Sequence, residues 1–264
     1  MTWLNYEAPR FPVEEPIKKV EQEISDLFEA QAEQIAGYSQ KNQLCIVRGP
    51  WASGKSRFLI PRLAQKIVSK GNNVFTFDCQ IGYSSEFFEE LPIVKNGIAI
   101  LDEAPGISLR KGEKEVKNVL ESAHSRGWNI IAVFASHPQH PRQAALATTI
   151  WKNAENNLGG TIRKIILPEF RLPTRQIAEE FINSKIRAPF ELNRETLEYV
   201  LNNIPYNLRI LDLMSFDISL ELPEFLRRLH DNIIYRVDSY INKKDADALR
   251  EKFEQDYQRI VWKR

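Results

Sequence analysis

Short apolar runs alternate along the first two thirds of the chain with segments in which apolar residues recur at helical spacing. The apolar runs occupy residues 44–48, 74–78, 98–102, 129–135 and 161–167. Runs of this length and composition are typical of strands that are buried on both faces of a parallel sheet. The segments with helical spacing predict helices over residues 17–36, 57–70, 85–91 and 113–126. Strands that alternate with helices indicate an α/β fold, in which helices cover both faces of a parallel sheet.

The pattern changes after residue 168, where only helical spacing continues. It covers residues 173–187, 193–203 and 208–215 and two later segments. We therefore predict three regions along the chain, each with its own composition of elements. They are an extended lead-in with one helix at residues 1–37, an α/β core at residues 38–169 and a small all-helical lid domain at residues 170–264.

The loop between the first predicted strand and its helix gives the strongest chemical signal. It reads Gly49-Pro50-Trp51-Ala52-Ser53-Gly54-Lys55-Ser56, which fits the phosphate-binding pattern G-x-x-x-x-G-K-[ST]. The glycines let the backbone curl so that its N–H groups point at phosphate oxygens. Lys55 is predicted to bind the outer phosphates, and Ser56 to bind Mg²⁺ at the N-terminus of the next helix. With Arg57 in the first turn of that helix, residues 49–57 form the predicted nucleotide site.

The third predicted strand ends in two carboxylates, Asp102 and Glu103. Ligands of open α/β folds bind at the carboxyl edge of the sheet, so we expect both side chains beside the phosphate-binding loop. Asp102 is predicted to hold Mg²⁺ through water. Glu103 is predicted to orient or deprotonate the water that attacks the γ-phosphate. The loop and this pair together indicate a P-loop NTPase that hydrolyses its nucleotide.

Composition and charge narrow the class of protein. The chain has 264 residues, of which 27% are charged and 43% hydrophobic, and its net charge is +1. A net charge this small gives no overall attraction for nucleic acid, although a local basic patch is not excluded. The two cysteines, Cys45 and Cys79, lie in or beside predicted strands, so we expect buried thiols and no disulfide framework. Because we find no apolar stretch of about 20 residues and no apolar signal segment, we predict a cytoplasmic protein without a membrane partner.

The end of the fourth predicted strand offers a polar side chain next to the strand that ends in Asp102. Alternation favours Ser136 for contact with the γ-phosphate or the attacking water, and His137 is the second choice.

The helix predicted at residues 208–215 offers a cation. Arg209 lies in its first turn, after a candidate N-cap at Asn207. A cation opposes the helix dipole at this position unless it meets an anion, which a nucleotide phosphate would supply. We therefore expect Arg209 and Ser136 to act in catalysis beside Lys55 and Glu103.

In their order along the chain, these motifs resemble those of the AAA+ ATPases. GPWASGKS and AILDEA are similar to the Walker A and Walker B motifs, whereas the strand ending in ASHP and the segment YNLRIL resemble sensor 1 and sensor 2. The stretch IILPEFRLPTRQIAEEFI is similar to the fifth strand and first lid helix of that family. Over about residues 17–217, the chain is most similar to the replication-initiator group, which includes DnaA-type initiators, Hda-type regulators and DnaC-like helicase loaders.

This resemblance implies an ATPase that binds ATP, ADP and Mg²⁺ and acts as a nucleotide-controlled switch in DNA replication, its regulation or a related DNA transaction. It also implies a protein partner in a DNA-handling complex, contact with DNA and nucleotide-dependent self-association. Members of the family carry an arginine before the fifth strand that completes a neighbour's active site, but residues 149–154 contain none. Either Arg142 or Arg163 replaces it, or activation by a neighbour is absent; turnover is expected to be weak without a partner.

Two other functions are compatible with the same loop. The first is a P-loop kinase of a small molecule or nucleotide, although the Asp102-Glu103 pair favours water as the acceptor and no arginine-rich lid is evident. The second is an ATP-binding scaffold with little turnover, which the missing arginine leaves open.

Overall fold

The computed structural model describes residues 15–41, 43–51, 53–80, 86–137, 141–168, 171–186, 190–230, 241 and 243–262. Five strands within this part of the chain form one parallel sheet in the order β2-β3-β4-β1-β5. They are β1 (Leu44–Pro50), β2 (Asn73–Asp78), β3 (Gly97–Asp102), β4 (Trp128–Ser136) and β5 (Ile162–Ile166). The phosphate-binding loop follows β1, and the two carboxylates lie at the end of β3. β4 is the one strand between β1 and β3.

Helices precede, connect and follow these strands. They are α1 (Glu15–Asp26), α2 (Glu29–Ser39), α3 (Ile60–Ser69), α4 (Glu86–Glu89), α5 (Pro105–Ser125), α6 (Pro141–Asn157), α7 (Arg175–Asn183), α8 (Arg194–Asn203), α9 (Leu208–Ser215), α10 (Leu222–Arg228) and α11 (Lys243–Tyr257). Short segments with wider π-type turns, Lys55–Leu59 and Gln258–Trp262, lie directly before α3 and after α11. In the part of the chain described above, no helix combines the length and hydrophobicity that crossing a membrane requires.

The sheet is covered on both faces, as the continuous apolar runs predict. On β1, Cys45 and Val47 belong to an apolar cluster shared with α2, α3 and the helices after β5, α7 to α11, which are called the lid helices below. Leu44 and Ile46 belong to a cluster shared with α5 and α6. Successive strand residues point to opposite faces, so each strand contributes to both clusters. Burying one such aliphatic side chain contributes roughly 1.5–3 kcal/mol. The predicted α/β fold with helices on both faces and further helices after the last strand is confirmed.

The helix predicted at residues 17–36 is two helices, α1 and α2. The chain turns at Phe28, whose N–H donates to the Ser25 carbonyl oxygen at 3.1 Å. Phe28 is buried, and its ring stacks on Phe58 with 6.2 Å between the ring centroids. Because both helices pack on the same core, the apolar spacing continues across the turn and does not reveal it.

The helix predicted at residues 113–126 is the second part of α5, which extends from Pro105 to Ser125 and is kinked at Gly112. Proline is tolerated in the first turn of a helix, where its missing N–H would have no helical partner. Gly112 interrupts α5 with φ 80° and ψ −172°, a conformation that residues with a side chain rarely adopt. The predicted start at residue 113 therefore matches the first residue after the kink, and only the helical turns from Pro105 to the kink were not predicted.

Several predicted features lie outside the described residues. These are the lead-in before residue 15, Ala52 of the loop, residues 138–140 after β4 and residues 169–170 at the expected domain boundary. The division into regions at residues 37 and 169 therefore stays a prediction.

Candidate nucleotide-binding site

Two glycines shape the loop between β1 and α3. Gly54 has φ +81°, in the left-handed region, and a Cβ atom there would lie 3.0 Å from side-chain atoms of both Leu208 and Phe58. A Cβ atom at Gly49 would lie 3.1 Å from the Cβ atom of Leu167 and 3.3 Å from the Cδ atom of Lys55. Close neighbours therefore leave little room for a side chain at both positions, and the left-handed backbone favours glycine at Gly54 as well.

Lys55 lies at the start of the helical segment and points back into the loop. Its side chain is buried, and Nζ donates to the Pro50 carbonyl oxygen at 2.5 Å and to Ser53 Oγ at 3.3 Å. Burial lowers the pKa of Lys55 to about 8, although the nearby carboxylates of Glu103 and Asp102 oppose the shift. An ammonium group held in this way is placed to exchange its loop acceptors for phosphate oxygens.

Ser56 and Asp102 meet between the loop and the sheet. Burial raises the pKa of Asp102 above its usual value, although hydrogen bonds from the Ser56 hydroxyl and the Glu103 N–H oppose the shift. Mg²⁺ takes oxygen ligands and keeps several waters and phosphate oxygens, so a hydroxyl beside a carboxylate suits it. The described residues contain no group of three or more His, Cys, Asp or Glu side chains that could hold a metal ion by themselves. The Ser56 hydroxyl and the Asp102 carboxylate are thus two oxygen groups of the kind that Mg²⁺ takes as ligands.

Glu103 has an unusual backbone and an unusual charge environment. Its φ is 52°, and its N–H donates to Asp102 Oδ1 at 3.0 Å. Burial raises the pKa of Glu103 to about 7; the Asp102 charge adds to the shift and Lys55 opposes it. Asp78, which pairs in register with Asp102, raises the pKa further. A carboxyl group with a pKa near 7 is suited to accept a proton from water at neutral pH.

Glu103→Gln is expected to stabilise the fold at pH 8. The folded chain binds the Glu103 proton more tightly than the unfolded chain, whose pKa is near 4.5, so ionisation costs stability as the pH rises from about 4.5 to about 7. The neutral amide avoids this cost. After allowance for partial exposure, we expect a gain of about 1–2 kcal/mol in the free energy of unfolding at pH 8. Urea unfolding at pH 8 and pH 5 measures it; an equal gain at both pH values would rule out ionisation as the cause.

The loop, Glu103 and the lid helices enclose a cleft of about 230 Å³. The core contributes Trp51, Ser53, Gly54, Lys55, Ser56, Arg57, Phe58 and Glu103, and the helices after β5 contribute Phe181, Leu208, Arg209 and Asp212. Arg57 is exposed in the cleft wall, with Cζ 5.5 Å from the centroid of the Phe58 ring. Most of the predicted site residues therefore meet in one place. Three further predicted residues contact residues that line the cleft: Gly49 and Pro50 contact Lys55, and Asp102 contacts Ser56.

Arg209 enters the cleft from the first turn of α9. The side chain of Asn207 accepts hydrogen bonds from Arg209 N–H at 3.0 Å and Ile210 N–H at 3.4 Å, so Asn207 is the N-cap that the sequence predicts. The Arg209 guanidinium forms an ion pair with Asp212, with 3.0 Å between Nη1 and Oδ2. Among the cleft-lining residues, Arg209 is the cation that the lid helices present to the loop.

Ser136 does not face the cleft, which differs from the sequence-based expectation. Leu101 pairs with Ala132 in the sheet, so Asp102 and Ser136 point to opposite faces. Ser136 shares its face with Phe134, which packs in the cluster of α5 and α6. Its hydroxyl accepts a hydrogen bond from Arg48 Nη2 at 3.1 Å. The register between neighbouring strands, which the sequence does not show, decides this orientation.

Trp51 connects the loop to the end of β4. The backbone N–H of Trp51 donates to the Ser136 carbonyl oxygen at 3.0 Å, and the centroid of its ring lies 4.8 Å from that of His137. The Trp51 side chain also lines the cleft and remains 36% exposed. His137, the second choice at this strand end, thus contacts the loop through its ring.

The two arginines considered as replacements for a neighbour's catalytic arginine lie in different places. Arg142 is exposed in the first turn of α6, which follows the carboxyl end of β4. Arg163 pairs with Cys45 near the start of β5, and its Cζ lies 4.3 Å from the centroid of the Tyr38 ring. Arg142 therefore lies at the edge of the sheet that carries the site, and Arg163 does not.

Sequence reasoning missed several residues in or beside the site, among them Asp78, Asp212 and Phe181. Asp78 ends an apolar strand just as Asp102 does, so the same signal could have found it. Asp212 follows Arg209 by one helical turn, a spacing at which opposite charges pair. Phe181 lines the cleft from α7 and has no local signal, because only the packing of the lid brings it to the loop.

Comparison with known proteins gives distant likenesses. No family model and no curated protein matches the chain. A Walker-type ATPase of Pyrococcus abyssi is similar over 79% of this chain and 73% of its own, with 12% identity and a TM-score of 0.47. Domain III of the replication initiation protein DnaA from Thermotoga maritima is similar over 92% of this chain and 94% of its own, with 16% identity and a TM-score of 0.42.

The Holliday junction branch migration motor RuvB of Thermotoga maritima is similar over 86% of this chain and 68% of its own, with 12% identity and a TM-score of 0.44. At these identities and TM-scores, the likenesses assign neither a family nor a function to this chain. By its parallel sheet, its glycine-shaped loop and its Asp102-Glu103 strand end, the chain has the fold of the P-loop NTPases.

Proposed function

We propose that this chain is an ATP-binding AAA+ ATPase that acts as a nucleotide-controlled switch in DNA replication, its regulation or a related DNA transaction. The observation that carries the proposal is a single cleft lined by Lys55 and Ser56 from the loop, Glu103 from the sheet edge and Arg209 from the lid. Cations for the phosphates, a hydroxyl for Mg²⁺ and a carboxyl group with a raised pKa are the groups that ATP hydrolysis requires together.

Each residue has a defined part in hydrolysis. Lys55 and the loop N–H groups bind the phosphates. Ser56 and, through water, Asp102 would hold Mg²⁺, which would neutralise phosphate charge. Glu103 accepts a proton from water as the water oxygen bonds to the γ-phosphorus, and the bond to the bridging oxygen breaks to give ADP and phosphate. Arg209 neutralises the outer phosphate from the lid. Loss of that phosphate removes the anion that Arg209 binds, so the lid responds to hydrolysis.

The cleft favours water over an organic acceptor. A P-loop kinase is expected to cover the phosphates with several arginines, whereas Arg209 is the one arginine among the cleft-lining residues of the lid helices. The raised pKa of Glu103 supports the same choice, because a base for water works best when its pKa is near the operating pH.

An ATP-binding scaffold with little turnover is a second candidate, and one observation favours it. The Ser136 hydroxyl is held by Arg48 on the opposite face of the sheet, so β4 presents no hydroxyl from Ser136 to the γ-phosphate. A protein partner, DNA or a second copy of the chain would then complete the site. Arg142 lies at the correct edge of the sheet for a contribution to a neighbouring copy.

Phosphate release and molecular mass, measured with ATP, ADP and DNA in turn, test these alternatives. Hydrolysis that increases with DNA or with self-association supports the ATPase switch. Transfer of phosphate to an added acceptor supports a kinase, and tight ATP binding without turnover supports a scaffold. Absence of nucleotide binding would contradict all three.

Arg209→Ala is expected to reduce the preference for ATP over ADP by about 10-fold, because the guanidinium is proposed to contact the outermost phosphate alone. Calorimetric titration with ADP and a non-hydrolysable ATP analogue measures both affinities. Arg227→Ala is the matched control, since Arg227 is an exposed lid arginine that pairs with Glu224 at 3.1 Å. Equal discrimination in the wild type and Arg209→Ala would remove the sensing role.

A further inference from the structure

Asp212 lies between two cations at the wall of the cleft. Its Oδ2 is 3.0 Å from Arg209 Nη1, and its Oδ1 is 3.3 Å from Lys185 Nζ. Arg209 precedes Asp212 by one turn of α9, whereas Lys185 lies just beyond the end of α7. Each oxygen of the Asp212 carboxylate therefore pairs with a different cation, and the two cations come from different parts of the lid.

We propose that Asp212 is a positioning residue that holds the Arg209 guanidinium in an ion pair until a nucleotide phosphate takes it, and that Asp212 then keeps Lys185 as its partner. This inference rests on the proposed function, because it assumes that the cleft binds a nucleotide whose outer phosphate reaches Arg209. It adds that Asp212 and phosphate compete for the Arg209 guanidinium. Lys185 lowers the free-energy cost of the exchange, because it stays paired with Asp212.

The two ion pairs differ in how firmly they are held. The Arg209 side chain is 47% exposed, whereas the Lys185 and Asp212 side chains are 18% and 25% exposed. Lys185 Nζ also lies 5.0 Å from the centroid of the Phe181 ring, which places the ammonium over an aromatic face in the lid. Lys185 is therefore the more buried partner of Asp212, and Arg209 is the more exposed one, which in this proposal moves to the phosphate.

Transfer of the Arg209 guanidinium from Asp212 to phosphate is expected to be favourable. An exposed ion pair one helical turn apart is weak, whereas a guanidinium binds phosphate through two parallel charge-assisted hydrogen bonds. Leaving a half-buried carboxylate without a cation would oppose the exchange, but Lys185 remains bound to Asp212. Arg209 is therefore expected to bind phosphate in preference to Asp212, and the strength of its pair with Asp212 sets the size of that preference.

Changes at the two ends of this arrangement are expected to have opposite effects. Asp212→Asn frees Arg209 in the absence of nucleotide, so the affinity for a non-hydrolysable ATP analogue rises roughly two- to fivefold. Lys185→Met leaves Asp212 to Arg209 alone, so the same affinity falls by a similar factor. The affinity for ADP changes less in both variants, since Arg209 is proposed to contact the outermost phosphate.

The experiment measures the dissociation constants of Mg²⁺-ADP and Mg²⁺-β,γ-methylene ATP for the full chain, each variant being made with Arg209 and with Arg209→Ala. If Asp212 acts through Arg209, both effects disappear in the Arg209→Ala background. Asp217→Asn is the matched control, because Asp217 pairs with Arg228 at 2.8 Å and does not line the cleft. It removes the same charge and is expected to leave both affinities unchanged.

Two results would overturn the inference. One is a gain in Asp212→Asn that persists without Arg209, which would indicate general charge repulsion. The other is tighter binding in Lys185→Met with Arg209 present. A wild-type chain that binds neither nucleotide would instead refute the proposed function. If Asp212→Asn fails to fold, as thermal unfolding would show, Lys185→Met alone still tests the predicted sign.

Discussion

Lys55→Ala is expected to weaken the binding of ATP and ADP by about 100-fold. The Lys55 ammonium is buried and lies 2.5 Å from the Pro50 carbonyl oxygen, so the loop already holds it near the position where a phosphate would bind. Little conformational freedom is then lost on binding, which raises affinity. Alanine removes the hydrogen-bond donor. It also removes the cation beside Asp102 and Glu103, so these carboxylates repel the phosphates more strongly.

Equilibrium titration with a fluorescent nucleotide measures this effect. Lys70→Ala is a suitable control because Lys70 follows α3 at its far end, where it pairs with Glu33 at 2.5 Å. Thermal unfolding of both variants shows whether each is folded. Wild-type affinity for ATP in Lys55→Ala would refute the phosphate-binding role of the loop.

Glu103→Gln is expected to retain ATP binding and to lower the turnover number by roughly 100- to 1,000-fold. A glutamine side chain would keep the size of the glutamate but could not accept a proton from water. In the wild type, kcat/KM is expected to rise with pH through about 7, because Glu103 holds its own proton below that pH. It should fall again as the pH rises through about 8, because Lys55 then loses the charge that binds phosphate. The profile is therefore bell-shaped.

The pH profile separates a base from a residue with a structural role. The variant is expected to lose the acid limb of the profile and to keep the alkaline limb, while the ionisation of the nucleotide is the same for both proteins. Glu121→Gln is the matched control, since Glu121 is an exposed residue of α5 that pairs with Lys117 at 3.5 Å. Unchanged turnover in Glu103→Gln would exclude Glu103 as the base.

Activity and stability are expected to oppose each other at Glu103. The burial and the neighbouring carboxylates that raise its pKa to about 7 suit it to accept a proton, and the same environment makes its charge unfavourable for the fold. One substitution should therefore slow hydrolysis and raise the free energy of unfolding at pH 8. Residues that only support the fold do not combine these two signs.

The sequence predicted elements well where the deciding interactions are local. The bounds of α9, residues 208–215, were predicted correctly because the Asn207 side chain caps the helix and the apolar spacing begins next to it. The predicted strands match β1 to β5 within a few residues because their apolar runs are continuous. The turn at Phe28 was missed because the apolar spacing continues across it, and the helical turns of α5 before the kink at Gly112 were missed because proline and glycine bound that short stretch.

The sequence by itself determined the chemistry of this protein's site: a loop that requires glycine at residue 54, a lysine and a serine after it, and two carboxylates at the end of a buried strand. These features are local, because backbone conformation and side-chain chemistry depend on neighbouring residues.

Only the tertiary structure decided that Ser136 faces away from the cleft, that Phe181 lines it, and that Asp212 lies between Arg209 and Lys185. Strand register and lid packing decide these relations, and both arise from contacts between residues that are distant along the chain.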